Sequence, residues 1–388
     1  MEGFSDLLIL MVVVWTIGKI FRTFKLPMIF GELVGGIIVG PVLLSLVNPD
    51  SEFIKIIAEF GIFFLMLHSG LETDPSQLLK SGKKSIFIAL GGAILPFLGA
   101  YYLSIIFGYP PMTALFVGMG ISITALPICA RLFKDYKMPH SKVAHLTIGS
   151  AIINDILALV LFSTVINIAE AGSVELIPLL KTLGTVIVFF GVVIYGGMKI
   201  SPFMNRVIRF KNKGFTLTLI IALLMGLIAQ AIGLHMIIGA FLAGLFIREE
   251  VIDKKTFAKI EDRVYGLSYS FFGPIFFASL AFHLDFSAFK TLPILLLILL
   301  AVAIIGKLLG AGLVSRFLKI KPLESLAIGI AMNSRGAVEL IILVLGLEMG
   351  IIDQQLFSVL VFIAFATTIL AIIGFQPIAK RLKLKNKD

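Results

Sequence analysis

One carboxylate stands in the middle of an apolar run, Ile148-Gly-Ser150-Ala-Ile-Ile-Asn154-Asp155-Ile-Leu-Ala-Leu-Val160. Holding an ionised side chain at mid-depth of a membrane helix costs roughly 2.5–3.5 kcal/mol on insertion scales, so such a residue is read first as functional. Asp155 can hold a proton or a small monovalent cation, but not both. Burial opposes its charge, whereas a nearby cation and hydrogen bonds from Asn154 or Thr124 support it. If the empty, charged site cannot cross the membrane and the loaded site can, cation and proton exchange obligatorily. Oxygen ligands from Asp155, Asn154, Thr124 and freed backbone carbonyls suit a hard ion, Na⁺ or K⁺; no His/Cys cluster supports a transition metal. Lys307, in Gly306-Lys-Leu-Leu-Gly310, is the other costly mid-span charge. It is expected to pair with Asp155 or titrate against it.

The elements that position these residues are membrane helices. Of 388 residues 59% are hydrophobic and 14% charged, and the mean hydropathy is +1.06. Apolar runs long enough for a roughly 30 Å hydrocarbon core recur throughout, and the alternation of a membrane β-barrel is absent. The reading is an all-α polytopic membrane protein of about thirteen spans, at 5–21, 27–46, 53–72, 84–107, 111–132, 143–168, 175–200, 215–233, 235–248, 266–284, 292–317, 323–347 and 355–379. Asp155 then lies roughly 18 Å into the sixth span, at 1.5 Å per residue. Loop charges alternate: Lys19, Arg22 and Lys25, then none in 45–52, then Lys80, Lys83 and Lys84, down to a basic tail. Positive residues stay inside, so the N-terminus is placed outside and the C-terminus in the cytoplasm of a cell-membrane protein. The net charge of +10 is read as this loop bias, not as nucleic-acid binding. No secretory signal is visible. A lone Cys129 excludes an internal disulfide and is read as packing.

The chain repeats itself. The stretch 63–72 aligns on 276–285, 28–36 on 236–244, and 120–127 on 329–336. Paired spans have opposite orientation, which gives a six-plus-six inverted repeat with the seventh span as linker, and a site near the midplane. The repeat singles out two interrupted helices: Thr124-Ala125-Leu126-Pro127 in the fifth span and Asn333-Ser334-Arg335-Gly336 in the twelfth. Proline frees backbone carbonyls and glycine permits unwinding. Broken helices at membrane depth line cavities and suit ions. Secondary candidates are Glu32, mid-span in the second helix, Ser150, and Glu72, which with Asp285 occupies an equivalent helix end. Arg335 and Glu339, four apart, read as a structural ion pair. His68 and His283 are read as packing, with pH sensing as the alternative. Gly118-Met-Gly120 lies inside a span and is no nucleotide fingerprint.

These motifs resemble the monovalent cation/proton antiporters of the second cation/proton antiporter family. The resemblance rests on Gly31-Glu32-Leu-Val-Gly-Gly-Ile-Ile-Val-Gly40-Pro41, Gly70-Leu71-Glu72, the 124–127 break, Asn154-Asp155, Lys307 and Arg335-Gly336. The stretch Met332-Asn-Ser-Arg-Gly-Ala-Val-Glu339 is similar to the cation/proton exchanger branch. The resemblance implies the sodium/proton antiporter fold with two crossed discontinuous helices, in a single membrane transport domain over 1–388. Within it, panel helices at about 5–46 and 215–248 dimerise, core helices at about 53–168 and 266–379 hold the ion, and a linker covers about 175–200. It implies that Asp155 binds Na⁺ or K⁺ in exchange for H⁺ and that Lys307 pairs with it. Asn154, where electrogenic relatives carry aspartate, points to electroneutral exchange. The expected partners are monovalent cations, protons, the bilayer and a second copy, with no cofactor and no soluble nucleotide-binding domain. A ligand-gated potassium efflux channel and an organic-anion symporter are the alternatives; no nucleophile or acid/base cluster points to an enzyme.

Overall fold

The computed structural model describes residues 2–24, 26–73, 75–139, 141–171, 184–185, 188–189, 191–192, 214–247 and 254–385. Among them there is no strand. In chain order the helices are α1 (Glu2–Thr23), α2 (Met28–Val39), α3 (Glu52–Glu72), α4 (Pro75–Ile106), α5 (Pro111–Ser122), α6 (Leu126–Asp135) and α7 (Lys142–Ala171). They continue with α8 (Gly214–Ala231), α9 (Met236–Phe246), α10 (Lys254–Leu267), α11 (Gly273–Leu280), α12 (Ala288–Thr291), α13 (Pro293–Lys307), α14 (Val314–Phe317), α15 (Pro322–Ala331), α16 (Ala337–Glu348) and α17 (Gln354–Lys385). Single π-helical turns, Ser268–Phe272 and Leu308–Leu313, join α10 to α11 and α13 to α14.

Among the described residues, nine helical stretches are long and apolar enough to cross a membrane, and Met28–Val39, Met236–Phe246 and Pro322–Ala331 are shorter apolar helices. They fall on every predicted span except the seventh, 175–200, which lies almost wholly outside the described residues. Prolines open α5, α13 and α15, in the first turn, where the missing N–H bonds nothing anyway. The repeat is visible in these starts and stops: α2 and α9 begin at the aligned Met28 and Met236, and the fifth and twelfth spans are each split in two.

Two boundaries differ from the sequence reading. The tenth span, expected from 266, belongs to a helix that begins at Lys254. Phe257, Ile260 and Val264 are buried on one face of it while the polar residues between them depress the hydropathy, so it is an amphipathic extension. The fourth span is likewise preceded by helix from Pro75, kinked at Gly82 with φ 69°, a left-handed conformation that glycine adopts freely.

The chain packs as two compact units, Met1–Asp74 with Ile166–His283, and Pro75–Val165 with Leu284–Asp388. In the first, glycines bring backbones together. A Cβ on Gly31 would stand 2.8 Å from Gly18 Cα, and one on Gly244 would stand 2.2 Å from Leu67 O. Leu10, Val14, Val39, Ile54, Ile275 and Phe282 form its core. In the second unit, Phe133, Ile328, Met332 and Phe375 form a core around the ends of α6 and α15. Rows such as Leu8, Val12 and Trp15 on α1, and Leu223, Leu224 and Leu227 on α8, stay exposed, as lipid-facing surfaces do.

Candidate functional site

The second unit holds Asp155, Lys307 and both interrupted spans. Asn154 and Asp155 lie mid-way along α7 and are buried. Ile148, Ala151, Ile152 and Ile156 of α7 pack on Leu126 and Cys129 of α6, which lays this part of α7 along the first break. The Ser150 hydroxyl, one turn before Asn154, lies 2.7 Å from Leu146 O and 3.0 Å from Ser85 O and shares its one proton between them, tying α7 to α4.

Both interruptions are real and they touch. The chain is extended at Ile123 and Ala125 between α5 and α6, and at Gly336 before α16. Leu126 and Pro127 already belong to the first turn of α6. Ala125 N donates to Ser334 O at 2.8 Å, Thr124 Oγ1 to Met332 O at 2.9 Å, and Cys129 Sγ to Ala331 O at 3.1 Å. A Cβ on Gly336 would stand 2.9 Å from Ala125 Cβ, so a larger residue there would push the crossing apart. Cys129, read from sequence as packing, is a hydrogen-bonding member of this contact.

A helix ends with carbonyls that lack partners and with the negative pole of its dipole. At the end of α5 two buried cations meet that need. Lys307 Nζ donates to Ser122 O, and to Thr124 Oγ1 at 2.6 Å. Arg335 donates from Nη1 to Gly120 O at 2.7 Å and from Nη2 to Ile121 O at 2.6 Å. The same Nη1 reaches Glu339 Oε1 at 2.9 Å, the ion pair read from the four-residue spacing. Thr368 on α17 holds the backbone of Arg335, accepting from its N at 2.8 Å and donating to its O at 3.2 Å. Several carbonyls at the breaks, those of Gly120, Ile121, Ser122, Met332 and Ser334, are thus taken by the protein's own donors. The reason is elementary: a buried backbone acceptor left unsatisfied is costly.

Thr124 is the junction of this network. Its hydroxyl donates to Met332 O and accepts from Lys307 Nζ and from Asn154 Nδ2, the last at 3.3 Å. One donor and two lone pairs are a hydroxyl's full capacity, so Thr124 organises the site in this arrangement. Lys307 sits where α13 passes into its π-helical turn, a distortion frequent at functional positions. Its amine lies on the α5 end, bonded to the same hydroxyl that Asn154 reaches.

Asn333 Nδ2 donates to Gly329 O at 2.9 Å, and Ser334 Oγ to Ala331 O at 2.6 Å. Glu32 and Glu72 belong to the other unit. Glu32 is buried on α2, and its Cγ would lie 3.7 Å from a Cβ on Gly18. Glu72 closes α3 with Oε2 at 3.8 Å from His68 Nδ1, and His68 packs on the rings of Tyr265 and Tyr269.

Sequence reasoning missed Ser85, Thr368 and the capping of α5. Thr367-Thr368 in the middle of the apolar last span is the signal that could have found Thr368; bonds to carbonyls leave no mark in residue identity.

The same architecture recurs in a solved structure, that of the sodium proton antiporter MjNhaP1 from Methanocaldococcus jannaschii. The TM-score is 0.79 at 20% identity, over 98% of this chain and 99% of that one, which establishes the shared fold. A family described as "Sodium/hydrogen exchanger, transmembrane" matches residues 7–381. The chain belongs to this family. Among sodium/hydrogen exchanger relatives, an Enterococcus hirae "Na(+)/H(+) antiporter" is 29% identical over 98% of this chain and 99% of its own length. A Bacillus cereus "Na(+)/H(+)-K(+) antiporter GerN" is 30% identical over 89% of this chain and 88% of its own. A multi-pass membrane protein of the sodium/hydrogen exchanger family is a transporter, and in this one the Asn154-Asp155 pair is buried, with Asn154 bonded to Thr124 at the first break.

Proposed function

We infer that this chain is a monovalent cation/proton antiporter in which Asp155 carries either H⁺ or Na⁺ or K⁺ across the membrane by alternating access. The observation that carries the reading is a buried carboxylate, on a helix packed along the first of two crossed chain breaks, within a chain whose residues 7–381 match the exchanger family. A carboxylate is the one group there that both loads can neutralise. Asn154 orients toward Thr124, and Thr124 and the α5 carbonyls hold Lys307 close to the site.

Cation for proton at a single carboxylate moves no net charge, so the exchange is electroneutral. Asn154 in place of a second aspartate supports this, because an amide brings no further titrating charge. The protein acts as a homodimer in the cell membrane, N-terminus outside and C-terminus in the cytoplasm. The panel helices (about 5–46 and 215–248) form the dimer and the core helices (about 53–168 and 266–379) move; the alternating loop charges and the resemblance support that arrangement. The relatives are transporters, and the chain's chemistry is transport and not catalysis.

Proteoliposomes with an internal pH dye test the reading. External NaCl or KCl drives proton efflux for the wild type, at a rate that does not change under an imposed potential. A potential-dependent rate excludes electroneutrality, and full activity in Asp155→Asn excludes Asp155 as the carrier.

A further inference from the structure

Around the crossing, acceptor after acceptor is spoken for: Gly120 O and Ile121 O by Arg335, Ser122 O by Lys307, Ala331 O by Cys129 and Ser334, Met332 O by Thr124, and Ser334 O by Ala125 N. Among the buried neutral side-chain oxygens at the crossing, one is not. Asn333 Oδ1 is buried and has no hydrogen-bond partner. Its amide is not free to turn over, because Nδ2 is committed to Gly329 O at 2.9 Å. Exchanging the two atoms would set oxygen against oxygen. A buried polar atom left unsatisfied in a folded protein calls for a specific explanation, such as an ion or a catalytic role. Glu339 Oε2 is also without a hydrogen bond, but that carboxylate is already neutralised by Arg335.

We propose that Asn333 Oδ1 is a ligand of the transported cation, and the residue that favours cation over proton at this site. The proposal rests on the reading of Asp155 as the carrier. Asn333 follows Met332, whose carbonyl is bonded to Thr124, which is bonded to Asn154, which adjoins Asp155. It therefore stands next in the chain to a member of that network, on the opposite broken helix. An amide oxygen is a hard, uncharged donor of the kind that binds Na⁺ or K⁺. It does not take up a proton in the working pH range. Its contribution accordingly falls on one side of the exchange: it strengthens the cation-loaded state and leaves the protonated state alone. Asp155 supplies the charge for which both loads compete, and Asn333 supplies selectivity between them.

The test uses the full chain in proteoliposomes, with NaCl or KCl alone as the probe. Asn333→Ala raises the apparent KM for the cation about tenfold, the scale of one lost polar contact, with the maximal rate at saturating cation retained. Asn333→Asp, which keeps an oxygen at that position, brings KM back to the wild-type value or below. In detergent, the rise in melting temperature on adding the cation is smaller for Asn333→Ala, and about tenfold more cation restores the wild-type shift. An unchanged KM in Asn333→Ala overturns the proposal, as does a lowered maximal rate with unchanged KM, which marks a structural role. If Asn333→Ala does not fold, Asn333→Gln keeps the amide and displaces its oxygen by one methylene; it must show the KM rise, and a wild-type KM there overturns the proposal. The underlying reading is tested apart from this: an undiminished cation-induced melting shift in Asp155→Asn removes Asp155, whereas a shift lost in Asp155→Asn with a normal KM in Asn333→Ala removes Asn333 alone.

Discussion

Arg335 is the residue whose removal the structure makes easiest to reason through. It is fully buried, and its guanidinium bonds Gly120 O, Ile121 O and Glu339 Oε1. Arg335→Met keeps the side-chain volume and deletes all three bonds. Removing one partner of a buried ion pair costs about 3–5 kcal/mol, mostly for the charge left behind. The carbonyls share the loss unequally. Gly120 O also accepts from Ile123 N at 3.4 Å, whereas Ile121 O depends on Arg335, at about 1–3 kcal/mol for an acceptor left unsatisfied. The double variant Arg335→Met with Glu339→Leu removes the stranded carboxylate and so recovers most of the loss, leaving about 1–3 kcal/mol for the Ile121 carbonyl. The assay is built into the chain. Cys129 is its single cysteine, is fully buried, and bonds Ala331 O at the crossing. A thiol-reactive dye therefore reports when the crossing opens during a thermal ramp. Arg335→Met lowers the temperature of dye reaction sharply, and the double variant regains much of it. A double variant as labile as the single one refutes the assignment of the loss to the uncompensated Glu339. An Arg335→Met protein with wild-type labelling refutes the capping role itself.

Other outcomes follow from the same geometry. Thr124→Val removes the hydroxyl that serves Lys307, Asn154 and Met332 and lowers exchange by about 10- to 100-fold, since hydrogen bonds to charged groups are worth about 1.5–3 kcal/mol; Thr124→Ser stays near wild type, and equal rates for the two would contradict the junction. Gly310→Ala places a Cβ 2.1 Å from Gly91 O and destabilises the fold by about 1–3 kcal/mol through overpacking, read as a lower melting temperature. His235, in the turn between α8 and α9 and ahead of the first α9 residue, accepts from Ile237 N through Nδ1 at 3.4 Å, and burial lowers its pKa below the ordinary 6.5. A base with a depressed folded pKa contributes stability that is present above the ordinary value and is lost as pH falls toward the folded one. His235's contribution to stability is therefore lost on acidification below about pH 6.5, and His235→Asn, which keeps a cap acceptor without titrating, gains in melting temperature relative to the wild type as pH falls through that range.

Much of the site could be read from residue types because the membrane makes charges expensive. Asp155, Lys307, Arg335 and Glu339 stand out against apolar sequence, and the aligned breaks at 124–127 and 333–336 coincide with the two observed interruptions. What could not be read is where those charges spend their hydrogen bonds. Lys307 and Arg335 share the C-terminal end of α5, and carbonyls there belong to Gly120, Ile121 and Ser122 only by position. The α10 start was hidden for a different reason: Lys255, Lys259 and Glu261 interleave with the buried Phe257 and Ile260, and a hydropathy reading averages over the two faces. The π-helical turn after Lys307 has no sequence signature in Leu308–Leu313.

The central claim is that cation and proton compete for one carboxylate. The most direct measurement is proton release on cation binding, with detergent-solubilised protein in weakly buffered solution containing a pH dye. Adding NaCl or KCl releases protons in proportion to the fraction of Asp155 that was protonated, up to one per chain, and the release vanishes in Asp155→Asn. Cation binding without proton release near the midpoint of the titration, or an undiminished release in Asp155→Asn, would contradict the account.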